Sequence, residues 1–442
     1  MTFEALNLHE SLSRALSAAG YTEPTEVQAL AIPAGLAGGD LMVSSRTGSG
    51  KTASFILPAL TRVLNSRVAQ VPVAPGQRRD PRDMPKGPKV LVLCPTRELA
   101  MQVAKAASDY GRYVPGLRVA TVVGGVPYGA QLAALRGPLD ILIATPGRLI
   151  DHLGAGKLNL GSLDMLVLDE ADRMLDMGFI DDIRHITEAT PATRQTVMYS
   201  ATFAGHVGKL ASELLKTPQR IDVASHTEAH ADIEQRLHWA DDFEHKNALL
   251  DSILTDRDVD QALVFTSTQR DADWLADRLH EMGHSVASLH GGMPQGRRNR
   301  VLQGLRSKHL RVLVATDVAA RGIDVPTISH VINFGLPMKE EDYVHRIGRT
   351  GRAGRTGLAV TLAERRDSGM IHRIQRYTTQ RIPLATIEGL EPKRSAPLMT
   401  APAGAPRGGK PMGKTFGPRP AGGKPFKPAG KTFAKPGPRP AR

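Results

Sequence analysis

The chain has 442 residues, of which 41% are hydrophobic and 23% charged, a formal net charge of +13 at pH 7, and one cysteine. That length implies two to three domains, each with its own core. With no eighteen-residue apolar run, and acids within Met1 to Glu10, neither a membrane span nor a secretory leader is expected, which points to a soluble, cytoplasmic protein. A lone Cys94 cannot close an internal disulfide, and no Cys/His cluster has zinc spacing. Cys94 reads as a small core residue, and His280 and His284 as positions on a surface helix.

The first signals in chain order are Leu8, Leu12 and Leu16, spaced as one helix face that Gly20 would end. Leu41-Met42-Val43 then reads as a buried strand, running into Ser45-Arg46-Thr47-Gly48-Ser49-Gly50-Lys51-Thr52 and a helical stretch. Strand, glycine loop and helix is the order a phosphate cradle requires. Gly48 and Gly50 let backbone N–H groups face phosphate oxygens, Lys51 supplies a point charge, and the Thr52 hydroxyl can ligate Mg²⁺. From Val71 to Lys89 a proline-rich stretch reads as an exposed loop.

Four further apolar runs in this half each end in a polar cluster. Val90 to Leu93 leads to Pro95-Thr96-Arg97-Glu98, and Ile141 to Ile143 to Thr145-Pro146-Gly147-Arg148. Leu166 to Leu168 leads to Asp169-Glu170-Ala171-Asp172, and Val197 to Tyr199 to Ser200-Ala201-Thr202. Short buried strands ending this way indicate a parallel α/β sheet whose polar clusters share one edge. The acids at 169 and 170 complete the phosphate loop's chemistry: Asp169 toward a metal ion, Glu170 toward an attacking water. Loop and acids together imply an ATPase.

A polar, turn-like segment, Ala224 to Ala231, precedes a second series. It comprises Ala262 to Phe265 with Thr266-Ser267-Thr268, Val286 to Leu289 with His290-Gly291, and Val312 to Val314 with Thr316-Asp317. Val331 to Phe334 then precedes a helix leading into His345-Arg346-Ile347-Gly348-Arg349-Thr350-Gly351-Arg352. This half lacks a phosphate loop, so it is expected to face the first half's nucleotide across a cleft. His345, Arg349 and Arg352 share a face if helical, which suits arginine fingers; phosphate contacts to nucleic acid are the other reading.

Taken together, these motifs resemble the DEAD-box family of ATP-dependent RNA helicases, in superfamily 2. The resemblance spans roughly residues 1–370 and rests on motifs in order: GYTEPTEVQ, SRTGSGKT, PTRELA, Gly124-Gly125, TPGR, DEAD, SAT, HGGMPQGRR, ATDVAARGID and HRIGRTGR. The compact body and basic tail look closest to the bacterial RhlE-like branch. The resemblance implies two tandem RecA-like parallel-sheet domains with helices on both faces. Expected bounds are 1–29 for the Q motif region, 30–223 for the ATP-binding domain, 224–233 for a linker, 234–392 for the second domain and 393–442 for a disordered basic tail. It further implies ATP with Mg²⁺ as ligands, Gln28 reading adenine beside Phe3 and Tyr21, for which a place as core aromatics is the other reading, and Asp324 reaching the ribose. Ser200, Thr202, Asp172 and His345 would couple nucleotide state to RNA binding. RNA would be held, with little base selectivity, by Pro95, Thr96, Arg97, Gly125, Thr145, Gly147 and Arg148 in the first lobe. Gln295, Arg298, Thr316 and Asp317 would do so in the second. Ser45-Arg46 departs from the family's usual Ala-Gln, and the glycine that opens a strict phosphate loop is absent.

From Lys393 to Arg442 there are twelve Lys or Arg and no acid, so the preceding residues carry a net charge of only +1. GKTF and GPRP each occur twice there, and Phe416, Phe426 and Phe433 punctuate the charge. Such a segment cannot build a core and suits a sequence-independent RNA tether. An RNA helicase is the expectation, with an ATP-gated RNA clamp or assembly scaffold and a DNA-acting motor as alternatives. Ribosomal or RNA-decay proteins remain open as partners, and no membrane is implied.

Overall fold

The computed structural model describes residues 2–45, 49–68, 87–223, 232–320, 323, 325–352, 355–395 and 397. Loop residues Arg46 to Gly48, most of the proline-rich stretch, the segment 224–231, Asp324 and the basic tail beyond 397 lie outside them.

Residues 1–399 hold two sheets in one compact unit. The first comprises β1 Leu41–Ser44, β2 Val90–Leu93, β3 Val119–Val122, β4 Ile141–Ala144, β5 Met165–Leu168, β6 Gln195–Ser200 and β7 Gln219–Asp222, in the order β3-β4-β2-β5-β6-β1-β7. The second comprises β8 Ile233–Ala240, β9 Ala262–Phe265, β10 Val286–Leu289, β11 Val312–Ala315, β12 His330–Asn333 and β13 Gly357–Glu364, in the order β10-β11-β9-β12-β13-β8. Every pairing is parallel. All strands of a sheet therefore deliver their carboxyl ends, and the loops after them, to the same edge.

The central strands are uninterrupted apolar runs because helices cover both faces. In the first sheet Val90, Val92, Ile141, Ile143, Met165 and Val167 pack on one side. Leu91, Leu93, Leu142, Ala144, Leu166 and Leu168 pack on the other, the period-two alternation of a strand. In the second sheet Ala262, Val264, Val312 and Val314 face one helix layer and Leu263, Phe265, Leu313 and Ala315 the opposite one. Cys94 is fully buried in the first core, where burial and the nearby acids push its thiol pKa up.

The helix at the N-terminus runs Glu10–Ala18, buries Leu12 and Leu16, and is followed by Gly20 at φ +79°. The next, Glu26–Ala37, starts with a capping box in which Gln28 bonds back to Thr25. At the far end of the body, the helix Glu340–Ile347 stops at Gly348. Arg349 and Arg352 thus lie past the helix, not on a continued helical face with His345. Turn bonds from Arg349 N to Arg346 O (3.0 Å) and from Thr350 N to Ile347 O (3.1 Å) place them. Gly351 has φ +65°, and a Cβ there would meet Ile233 Cγ1 at 2.5 Å, so the turn needs glycine. His284 likewise falls beyond its helix, which ends at Glu281.

Candidate active site and nucleic-acid interface

β1 and β5 end near each other with β6 between them, which brings the phosphate loop and the acids together at the sheet's carboxyl edge. Lys51 opens the helix Lys51–Val68, is buried, and donates from Nζ to the Ser45 carbonyl at 3.3 Å. Ser45 is buried, and its hydroxyl accepts from Ser49 Oγ at 3.3 Å; Thr52 is half-buried one residue further on. Gln28 grips the loop from the neighbouring helix. Its Oε1 accepts from Thr25 N at 3.0 Å and its Nε2 donates to the Gly50 carbonyl at 3.1 Å. Gly50 has φ +91°, a conformation that strains any other residue, and a Cβ on it would lie 2.4 Å from Gln28 Nε2 and so push that side chain off the loop.

Asp169 is 3% exposed, and its Oδ1 has no hydrogen-bond partner. Burial pushes its pKa up to about 7 against the opposing charge of Lys51, with Glu170 and Asp172 adding repulsion. A buried, orphaned carboxylate oxygen next to a phosphate loop suits a divalent cation, which would take the place of that proton. Thr52 is the other protein oxygen the sequence offers, with the remaining ligands coming from phosphates and water. Among the described residues no cluster of three acidic, His or Cys side chains could hold a metal by itself. Glu170 adopts φ 53°, ψ 54°, a left-handed conformation that costs a non-glycine residue roughly 1–2 kcal/mol. This kink ends β5 and starts the helix Ala171–Asp176. Asp172 is raised by burial and by Glu170, while Arg173 and a hydrogen bond from Ser200 act against that rise. Ser200 is fully buried, and its Oγ also accepts from Thr202 N–H at 3.2 Å, joining DEAD and SAT residues in one network.

Arg173 of this lobe lines a small pocket together with Asp342, His345, Arg346 and Arg349 of the facing lobe. His345 has a buried Nδ1 without a partner. Arg349 is buried and donates to the Ile323 carbonyl at 3.0 Å, and Arg352 donates to Gly348 O at 2.8 Å.

Of the residues expected around adenine, Phe3 is buried in the first lobe's core, so its ring packs against the protein's own apolar side chains. Tyr21 is 47% exposed, tilted against Tyr110 at 6.0 Å between ring centroids, so it is no core aromatic.

The residues expected at RNA cluster along the same edge. Thr96 caps the helix Arg97–Tyr110 through Leu99 N at 3.3 Å, and Arg97 donates to Gly124 O at 3.4 Å. Gly125 (φ +73°) packs beside both Arg97 and, from the other lobe, Gln295. Pro95 is buried ahead of that cap. Thr145 precedes the helix Pro146–Gly154, in whose first turn Gly147 is exposed and Arg148 donates to Val126 O at 3.1 Å. In the second lobe the polar groups already have protein partners. Arg298 bonds Glu98 at 2.9 Å and Gln295 reaches the same carboxylate at 3.4 Å. Asp317 is held bidentately by Arg346 at 2.6 and 2.7 Å, and buried Thr316 donates its N–H to Leu289 O at 3.3 Å.

Sequence reasoning missed Glu98, Arg173, Asp342 and Arg346 as organisers of this site. Glu98 and Arg346 stand inside motifs quoted above, but their partners lie 200 and 29 residues away and carry no local signal.

The DEAD/DEAH box helicase family matches over residues 25–210 and the helicase conserved C-terminal domain over 244–354. The chain is 41% identical over 397 residues to the ATP-dependent RNA helicase SrmB of Escherichia coli (strain K12), covering 90% of this chain and 86% of that protein. It is 39% identical over 405 residues to the ATP-dependent RNA helicase RhlB of Xanthomonas campestris pv. campestris (strain B100), covering 90% and 68%. Among solved structures, S. cerevisiae Dbp5 bound to RNA and ADP BeF3 superposes with a TM-score of 0.74 at 28% identity, covering 86% of this chain and 95% of that one. Mss116p bound to ssRNA and AMP-PNP gives 0.77 at 27% identity, covering 88% and 81%.

Proposed function

This chain belongs to the DEAD/DEAH box helicase family, and we propose that it is an RNA-dependent ATPase that separates short RNA duplexes locally or remodels RNA-protein complexes in the cytoplasm. Residues 30–223 form its ATP-binding lobe and 234–392 the lobe that closes on it. The observation that carries the reading is Asp169: a buried acid with an orphaned oxygen beside Lys51, four residues before Arg173, which lines one small pocket with the second lobe's His345 and Arg349.

ATP lies with its phosphates along residues 45–52, the backbone amides and Lys51 holding the oxygens. Gln28 keeps one N–H and one Oε1 lone pair beyond its bonds to Gly50 and Thr25, enough to meet adenine N7 and N6 together. Thr52 and Asp169 would hold Mg²⁺, which when bound neutralises phosphate charge. Glu170 accepts a proton from the water that attacks the γ-phosphorus, the bond to the β–γ bridging oxygen breaks, and ADP leaves with the electron pair. Arg349 and Arg352 meet the charge that develops on the transferred group, and Asp324 takes the ribose.

RNA binds across Thr96, Arg97, Gly125, Thr145, Gly147 and Arg148 and, on the other lobe, Gln295, Arg298, Thr316 and Asp317. These hydroxyls, amides and guanidinia grip sugar and phosphate, so binding tolerates many sequences. The network of Asp172, Ser200, Thr202 and His345 links the two ligands. ATP and RNA each bind the closed lobes better than the open ones, so each favours the other, and hydrolysis releases both.

The test is steady-state hydrolysis by the wild type and Glu170→Gln without nucleic acid, with RNA and with DNA of the same sequence. Hydrolysis that depends on RNA and on Glu170 is expected, with short duplexes released in parallel. RNA-independent or DNA-preferring hydrolysis would overturn the reading, and RNA-gated hydrolysis without duplex release would leave a clamp.

A further inference from the structure

One ion pair crosses between the lobes at a point that the chemistry of hydrolysis does not use. Arg173 directly follows the acidic tetrad, and its Nη1 bonds the carboxylate of Asp342 on the other lobe. Their side chains are only 5% and 10% exposed. Asp342 lies in the first turn of the helix Glu340–Ile347, and that same short helix ends in His345 and Arg346 and leads into the turn bearing Arg349. A helix of eight residues is about 12 Å long, so fixing one end fixes the other. Beside this pair, Lys339, which precedes the helix, pairs with Asp176, itself 3.8 Å from Arg173. The first-lobe side of the contact is one helix too, Ala171–Asp176. Two helices that each start or end at nucleotide-facing residues are therefore joined by a buried charge pair and a partly exposed one.

Building on the reading above, we propose that Arg173 and Asp342 form a registration latch, a positioning pair that lets the lobes close in the one arrangement that delivers Arg349 to the nucleotide. The physics sets what such a pair can do. When the lobes part, both charges gain water; when they close, desolvation offsets most of the attraction, so the pair adds little net closing strength. Closure in a shifted register, by contrast, would bury each charge without its partner, and that is strongly unfavourable. The pair thus selects among closed arrangements more than it drives closure. Burial disfavours the charge on Arg173, but Asp342 and Asp172 outweigh it and hold its pKa above the ordinary value, so the latch keeps its charge at working pH.

This logic separates a latch from a simple structural contact. Removing one partner leaves the other's buried charge without its shortest ion pair in the closed state, whereas removing both leaves a neutral, hydrogen-bonding pair. The test is the cycle Arg173→Gln, Asp342→Asn and the double variant, with Arg173→Lys as the conservative control. Each is read by the RNA concentration for half-maximal ATPase, by kcat at saturating RNA and ATP, and by a thermal melt. Each neutralised single variant should need about tenfold more RNA and lose about tenfold in kcat at saturating RNA and ATP, because the closed lobes then meet in more than one register and Arg349 reaches the nucleotide in only some of them. The double variant should return to within about threefold of the wild-type RNA requirement, and Arg173→Lys should lie between. Multiplicative effects, the double variant near a hundredfold, would overturn the latch, as would unchanged RNA requirements in single variants that melt like wild type.

Closure can be read without any ATPase signal by a dye pair at Glu10→Cys and Glu281→Cys, both exposed, because Cys94 is fully buried and unreactive. With a non-hydrolysable ATP analogue and RNA, the same cycle should appear as lost and then restored transfer efficiency. If the wild type hydrolyses ATP without RNA, the function proposed above fails, and the dye signal with analogue alone still decides the latch. A signal identical in all four proteins sinks it.

Discussion

Gln28 joins the second helix of the chain to the phosphate loop: its Oε1 caps that helix through Thr25 N–H while its Nε2 holds the Gly50 carbonyl 3.1 Å away. A residue read as an adenine sensor is thus also a strut for the loop that grips the phosphates. Gln28→Ala should lower stability by about 1–2 kcal/mol through the lost cap and the unpaired Gly50 carbonyl. It should also raise KM for ATP about tenfold. The split between these roles is read with GTP as competitor: if Gln28 only braces the loop, the variant loses ATP and GTP binding equally.

Glu98 supplies the charge that Arg298 meets across the cleft. Glu98→Gln leaves that guanidinium, which is 10% exposed, without a carboxylate and should destabilise the ligand-free protein by about 2 kcal/mol. RNA phosphate can supply the missing charge, so the difference from wild type should narrow in melts with single-stranded RNA. A gap of the same size with and without RNA would place Arg298 away from the RNA backbone.

Acid should weaken the second lobe through His238, which is buried in β8 with an unpartnered Nδ1. Burial, with a smaller contribution from Arg236, lowers its pKa to about 4. The folded chain then holds a neutral ring where the unfolded chain takes up a proton below its ordinary value of about 6.5. Its contribution to stability is fully present above pH 6.5 and lost as pH falls toward 4, about 3 kcal/mol in all. His238→Leu should flatten the stability profile by that amount between these limits, as measured by denaturant titration at each pH.

The basic tail gives a salt-dependent prediction. Lys393 and Arg394 already act inside the body, their backbone N–H groups bonding the Asp241 carboxylate at 2.7 and 3.1 Å. A truncation after Ser395 spares those bonds and still removes ten of the twelve positive charges. RNA binding should weaken, and its dependence on salt should flatten by roughly 0.7 in slope for each RNA phosphate that the tail no longer neutralises. The melting temperature should stay at the wild-type value. An unchanged slope would reduce the tail to a solubilising end.

Most central strands and their polar ends were legible because burial on both faces leaves uninterrupted apolar runs such as Val90 to Leu93 and Ile141 to Ile143, although β13, central and buried, was not read. Of the edge strands only β10 was read. β7 reads Gln-Arg-Ile-Asp with only Ile221 buried, and β8 begins Ile-Glu-Gln-Arg, with three polar residues in succession; both are edge strands. β3, at the other edge, is half-buried at every second position. The site's residue types were equally legible, since glycine, lysine and acids at strand ends have few other uses. Partnership was not: Gln28 with Gly50, Glu98 with Arg298 and Arg173 with Asp342 are set by tertiary distance, which leaves no spacing to read. The helical reading of Arg349 and Arg352 failed for a local reason, because Gly348 and Gly351 favour a turn over the helix that the spacing suggested.

The strand that feeds the phosphate loop lies between two partners made much later in the chain: Leu41 pairs with Val197 on one side and with Gln219 on the other. During synthesis, then, the loop's strand has no neighbour to bond until Ser200 has left the ribosome, and lacks its second until Asp222 has. At about 5–20 residues per second, that is a wait of roughly 10–40 s, with an apolar segment unprotected throughout. The ATP site therefore comes into being at the end of the first lobe's synthesis, and a nascent chain shorter than this cannot bind the nucleotide. Pausing or truncation before β6 and β7 would yield an aggregation-prone fragment with no residual ATPase.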